Sequence, residues 1–106
     1  MSIHPSSAAD VARLVTELTG GDAQRRDLAV ARLAVIGPRA ISPLLAIAGD
    51  PARGVAARAA AFEALEAIGD SRVLPTATSA LADASEDVAI AAIGALGPGA
   101  RVLAAR

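Results

Sequence analysis

The stretch AVIGPRAISPLL, residues 34–45, sets a Gly-Pro step and a second proline inside an apolar run. The pattern returns as AIGDSRVLPTAT at residues 67–78 and, shortened, as ALGPGARVLAAR at residues 95–106. A glycine at this place ends a helix, because the position just past a C-cap favours left-handed backbone angles that a side chain resists. Pro38, Asp70 and Pro98 follow and begin the turn. Pro43 and Pro75 then fall near the first turn of the next helix, where a missing N–H costs little. Each break is therefore a corner between two antiparallel helices.

Aligning Gly37, Gly69 and Gly97 brings Leu33, Leu65 and Ile93 together four residues earlier, and Ala29, Ala61 and Ala89 eight earlier. Val30, Phe62 and Ile90 stand seven before, and Ile36, Ile68 and Leu96 one before. Steps of three and four residues make a single apolar stripe on each first helix. Similar units at a period near 30 residues mark a solenoid.

Other boundaries agree. Ser7 with Asp10 resembles a capping box, and Val11, Leu14, Val15 and Leu18 trace one face of a helix that Gly20-Gly21 ends. Asp22 is placed to cap the next helix, and Asp50-Pro51 and Asp83–Ser85 separate successive pairs. The expected helices are 7–19, 22–36, 39–48, 53–68, 71–82, 85–96 and 99–105. The expected organisation is a tail and capping helix over residues 1–21, then three units over 22–50, 51–83 and 84–106.

Composition fits. Apolar residues make up 54% of the 106, yet Phe62 is the sole aromatic, and alanine dominates. Alanine favours helix and lets backbones approach closely, so a thin all-α layer is expected. The net charge of −1 supplies no field to recruit nucleic acid or an anionic membrane. All ten basic residues are arginine, and the absence of cysteine excludes disulfides and thiolate metal sites. The N-terminus does not read as a signal peptide, and no apolar run approaches the roughly 18 residues of a membrane span. A soluble, cytoplasmic protein is expected.

The phrases RRDLAVARLAVIG (25–37), AARAAAFEALEAIGDSRVLP (56–75) and EDVAIAAIGALG (86–97) resemble bacterial HEAT-like repeats, of the type also found in phycobilin lyase subunits. The family pattern sets an Arg, then Ala three on, Leu seven on and Gly eleven on. Arg26, Ala29, Leu33 and Gly37 match it, as do Arg58, Ala61, Leu65 and Gly69; the third copy has Glu86 at the Arg position. The resemblance implies a short right-handed α-solenoid of about three helix pairs. It also implies that the second helix of each pair lines the concave, binding side.

Enzyme chemistry finds little to use. His4 is the only histidine, and no serine or threonine has a base at a recognisable spacing. Glu63 with Glu66 and Glu86 with Asp87 are paired carboxylates, read as a solvated helix face and as charges favourable to a helix start. A non-enzymatic protein-binding module or scaffold is expected, with no cofactor and no metal. Its alternatives, drawn from the resemblance, are an accessory subunit of a phycobilin-lyase-like system and a HEAT-like DNA-binding protein.

The candidate partner-binding positions lie on the second helices. Arg72, Thr76 and Ser79 form a polar outward stripe with Asp83, opposite an inward stripe of Val73, Ala77, Ala80 and Leu81. The same outward positions one unit earlier are Ala40, Leu44, Ile47 and Pro51. Leu44 and Ile47 either pack against the N-terminal helix or open an exposed apolar patch for a partner. Arg39, Arg72 and Arg101 recur near second-helix starts, and carboxylates such as Asp70 and Asp50 are their expected partners between adjacent repeats. The short last helix covers only part of what Ile90, Ile93 and Leu96 expose, so self-association through the C-terminal end is also expected. Neither nucleic acid nor membrane is expected as a partner.

Overall fold

The computed structural model describes residues 8–97, and among them it is all-α, with no strand. The helices are α1 (Ala8–Thr19), α2 (Ala23–Ile36), α3 (Ile41–Ala48), α4 (Val55–Ile68), α5 (Leu74–Ala80) and α6 (Glu86–Leu96). Single 3-10 turns, Gly37–Ala40 and Ser71–Val73, lead into α3 and α5. These turns begin where the sequence places the second helices, so those helices start later in α-form than expected. The expected seventh helix, 99–105, lies outside the described residues, as do His4, Ser7, Pro98 and Arg101.

Local chemistry explains the boundaries. Asp22 accepts the Arg25 N–H at 3.0 Å and caps α2. Ser85 caps α6 through Val88 N–H at a longer 3.5 Å. Pro75 sits in the first turn of α5, where its missing N–H leaves no acceptor unpaired. Gly37, Gly69 and Gly97 are the residues with positive φ among those described. They do not share one conformation. Gly69 is left-handed (φ 75°, ψ 25°), whereas Gly37 (φ 77°, ψ −133°) and Gly97 (φ 93°, ψ 176°) lie in a region that only glycine enters readily. A Cβ at Gly37 or Gly69 would meet no atom within 4 Å, so any cost there is backbone strain alone. Gly37→Asn should therefore destabilise by about 1–3 kcal/mol, and Gly69→Asn by less, since asparagine tolerates the left-handed region. Thermal melts of the two variants check this; equal losses would contradict it.

The helices pack in serial order. Within the row of first helices, α2 lies against α4 and α4 against α6. Each second helix then packs on the following first helix, α3 on α4 and α5 on α6. The contact of α1 with α2 repeats that relation, so α1 stands where the second helix of a preceding pair would stand.

Burial distinguishes the two flanks of a first helix. Ala57, Ala60 and Ala64 of α4 are buried, as are Val88 and Ala92 of α6. The matching positions of α2 are Arg25, Leu28 and Arg32, all exposed. Among the described first helices, α2 is the one with no first helix before it, so this is the flank that meets the preceding neighbour. Its small side chains allow the close approach the row requires. On the opposite flank Phe62 is fully buried, whereas Ile90, its counterpart in α6, departs from the expected stripe and is exposed.

The segment Ala23–Ala48 passes the length and composition test for a membrane span, with a mean hydropathy of 1.5 over its best window. This corrects the expectation that no stretch reaches that size. In the fold the segment breaks at Gly37 into α2 and α3, and Leu33, Ile41, Leu44 and Ile47 are buried in the protein core.

Candidate functional site

The loops that follow the helices share one device. Asp50, Asp70 and Asp83 each turn a carboxylate oxygen back to accept the backbone N–H two residues on, at 2.9, 2.8 and 2.9 Å. Such turns fix the loop and leave the second oxygen for a cation. Arg72 engages both oxygens of Asp70, donating from Nη2 to that second oxygen and from Nε to the first, each at 3.1 Å. Asp50 instead lies 3.9 Å from Arg53. The expected ladder of arginine–carboxylate pairs between adjacent repeats is therefore corrected. Asp70 is a partner of Arg72, but it stands two residues away in the same corner, because the turn already points its carboxylate there. Arg39 is exposed.

The third carboxylate does bridge elements. Arg58, on α4, is almost wholly buried, donates from Nε to the Ala48 carbonyl at 3.1 Å and pairs with Asp83 at 2.7 Å. One guanidinium thus ties the end of α3, the body of α4 and the loop after α5. The planar fork suits this double task, which a lysine ammonium would not perform. Arg26 holds the equivalent place in α2. It donates to the Gly20 carbonyl at 2.9 Å, while its Nε is buried without a partner. The ion-pair clamp is thus closed in the second unit and not in the first.

The backbone N–H of Ser85, and then Arg58, hold the Asp83 carboxyl below its ordinary range. The side chain of Arg72 does the same for Asp70. A carboxyl with a lowered folded pKa contributes stability above its unfolded value, about 3.9. That contribution is lost as pH falls from there through the lower folded value. Urea titrations should show stability falling as pH drops below about 4, with a smaller fall in Asp83→Asn and in Asp70→Asn. An unchanged acid slope in both variants would contradict the pairing.

Around this clamp lies a cleft of about 350 Å³, lined by Gly49, Pro51, Arg58, Thr76, Ser79 and Asp83. At this cleft the loop after α3 comes up against α5. Gly49 marks that meeting: a Cβ there would come within 3.4 Å of the Thr76 methyl carbon.

Of the expected partner-binding positions, Arg72 and Ser79 are exposed and Thr76 is half-buried; Thr76 and Ser79 line the cleft. Ala40, Leu44 and Ile47 are core residues, 0%, 0% and 2% exposed. The apolar patch expected at Leu44 and Ile47 is corrected accordingly. On α5 this stripe borders the cleft beside Gly49; on α3 it lies in the core, on a helix that packs on α4. Leu81, expected inward, is 40% exposed, because α5 ends at Ala80 and its last turn loosens. Glu63, Glu66, Glu86 and Asp87 are all exposed. The Arg58–Asp83 pair was not expected. Its signal was the repeated Arg position, 25 residues from an aspartate read as part of a unit boundary and of an outward polar stripe.

No curated protein matches the chain. A family model for HEAT repeats matches residues 11–97, from the first turn of α1 to the glycine after α6. With paired helices in serial contact and the repeated Arg–Ala–Leu–Gly spacing, the chain belongs to the HEAT repeat family.

Proposed function

We propose that this chain is a non-enzymatic scaffold that seats a polypeptide segment of another protein in the cleft between α3 and α5. The observation that carries the reading is the position of Thr76 and Ser79 on the wall of that cleft, beside the fixed Arg58–Asp83 pair. Hydroxyls donate and accept, and so suit the alternating N–H and C=O groups of an extended backbone. HEAT repeats serve protein interaction in general, which favours the same class of partner. The pairing of Arg72 with Asp70 neutralises a cation that a nucleic-acid reading would need.

A photoreactive residue at Ser79 tests this in the native host, with one at Glu63, on the exposed face of α4, as the control. A discrete protein should crosslink at position 79 and not at 63. Thr76→Arg with Ser79→Arg should weaken binding of that protein at least about tenfold while leaving the melting temperature unchanged. Equal crosslinking at both positions, or unchanged binding by the double variant, would overturn the proposal.

A further inference from the structure

Among the described residues the row of first helices runs from α2 to α6, and the outer faces of these two helices differ from the junctions between them. At the front, on α2, Leu28 is 57% and Val35 87% exposed, and Arg25 and Arg32 flank them. The positions of Leu28 and Arg32 are filled in α4 and α6 by buried Ala60 and Val88, and by Ala64 and Ala92. At the rear, on α6, Ile90 is 58% exposed where Phe62 is fully buried, and Ile93 is half-buried where Leu65 is buried. Exposed Glu86 stands where Arg58 is buried, with Asp87 beside it.

Inside the row, a rear flank carries an arginine and the front flank against it carries alanine. At the ends the chemistry changes: the rear carries two carboxylates, and the front carries two guanidiniums. Among the described residues Arg25, Arg32, Glu86 and Asp87 form no ion pair. Each end is thus apolar at its middle and charged at its margin; the rear margin is acidic, and the front is basic on balance, with Asp10 beside Arg32 paired to Arg13. Front on front or rear on rear would bring like charges together, which disfavours a symmetric pair. Front on rear brings opposite charges together around two apolar centres. A shallow groove of about 440 Å³ on the front, between α1 and α2, includes Leu14, Arg32 and Val35 and leaves room for the rear side chains.

We propose that a second copy of this chain docks head to tail, its α2 continuing the row after α6 of the first. Leu28 of one copy then covers Ile90 and Ile93 of the other, and Arg25 and Arg32 lie on the side of Glu86 and Asp87. Such a contact is heterologous, so it does not close at two copies and extends into a series. This inference is independent of the cleft between α3 and α5.

The test is sedimentation equilibrium on the chain and two variants whose changes fall on exposed residues. One blocks the front (Leu28→Glu with Arg32→Glu) and the other blocks the rear (Ile90→Lys with Glu86→Lys). The unaltered chain should gain mass beyond a dimer as concentration rises, less so in high salt. Each blocked variant alone should stay monomeric, and an equimolar mixture should form a dimer and stop there. If either double variant melts early, the single changes replace them: Arg32→Glu and Glu86→Lys each weaken association, and both in one chain restore it. A monomer up to about 1 mM, which places any Kd above that range, would overturn the proposal. So would self-association by either blocked variant, or a mixture that remains monomeric.

Discussion

Phe62→Ala lowers the free energy of unfolding by about 3–5 kcal/mol. Phe62 is the one aromatic of the chain and is fully buried, on the α4 flank that faces away from α2. Its neighbours in the core are mostly alanine, leucine and valine. Alanines have no side-chain length to move into a void, so the cavity persists and its surface adds to the lost burial. A domain of this size has about 5–15 kcal/mol in total, so the variant approaches global unfolding. Ile90 supplies the control, because it occupies the same repeat position on α6 and is 58% exposed. Ile90→Ala should change stability by no more than about 0.5 kcal/mol. Urea denaturation of both variants measures the difference; similar losses would mean that the end of the row is covered.

Arg58→Ala is expected to cost about 2–3 kcal/mol, and Arg26→Ala about 1 kcal/mol or less. The two residues share one motif position, yet their surroundings differ. Removing Arg58 leaves the Ala48 carbonyl without its Nε donor and takes the cation from Asp83. Removing Arg26 loses one exposed hydrogen bond to Gly20 and relieves a buried nitrogen that has no partner. Arg58→Lys should recover little of the loss, because a single ammonium does not reproduce both directions of the fork. Chemical denaturation checks all three variants, and equal costs at positions 26 and 58 would contradict the inequality.

The corners were the most legible part of the fold, because glycine and proline act through the backbone, and the backbone is local. Gly37, Gly69, Pro43 and Pro75 fixed helix ends without reference to anything distant. The stripe of Leu33 and Leu65 was legible for the same reason, since helical spacing alone puts it on one face. What depended on neighbours was harder to read. Leu44 and Ile47 stand at positions that are polar in the next unit, and only the tertiary packing of α3, chiefly on α4, decides that they are covered. Arg58 and Asp83 were each visible as a motif member and a cap. Joining them required knowing that the loop after α5 returns to the body of α4. The contrast between Gly37 and Gly69 was hidden because both glycines permit positive φ, while the 3-10 turn that begins at Gly37 and the Asp70 turn after Gly69 ask for different ψ.

The serial stack is tested most directly by nuclear Overhauser contacts among side chains of the assigned chain, recorded on dilute protein. Dense sets are expected between α2 and α4, between α4 and α6, and from α3 and α5 to α4 and α6 respectively. A set joining α1 to α6 as dense as the one joining α4 to α6 would contradict a linear row and describe a closed bundle instead.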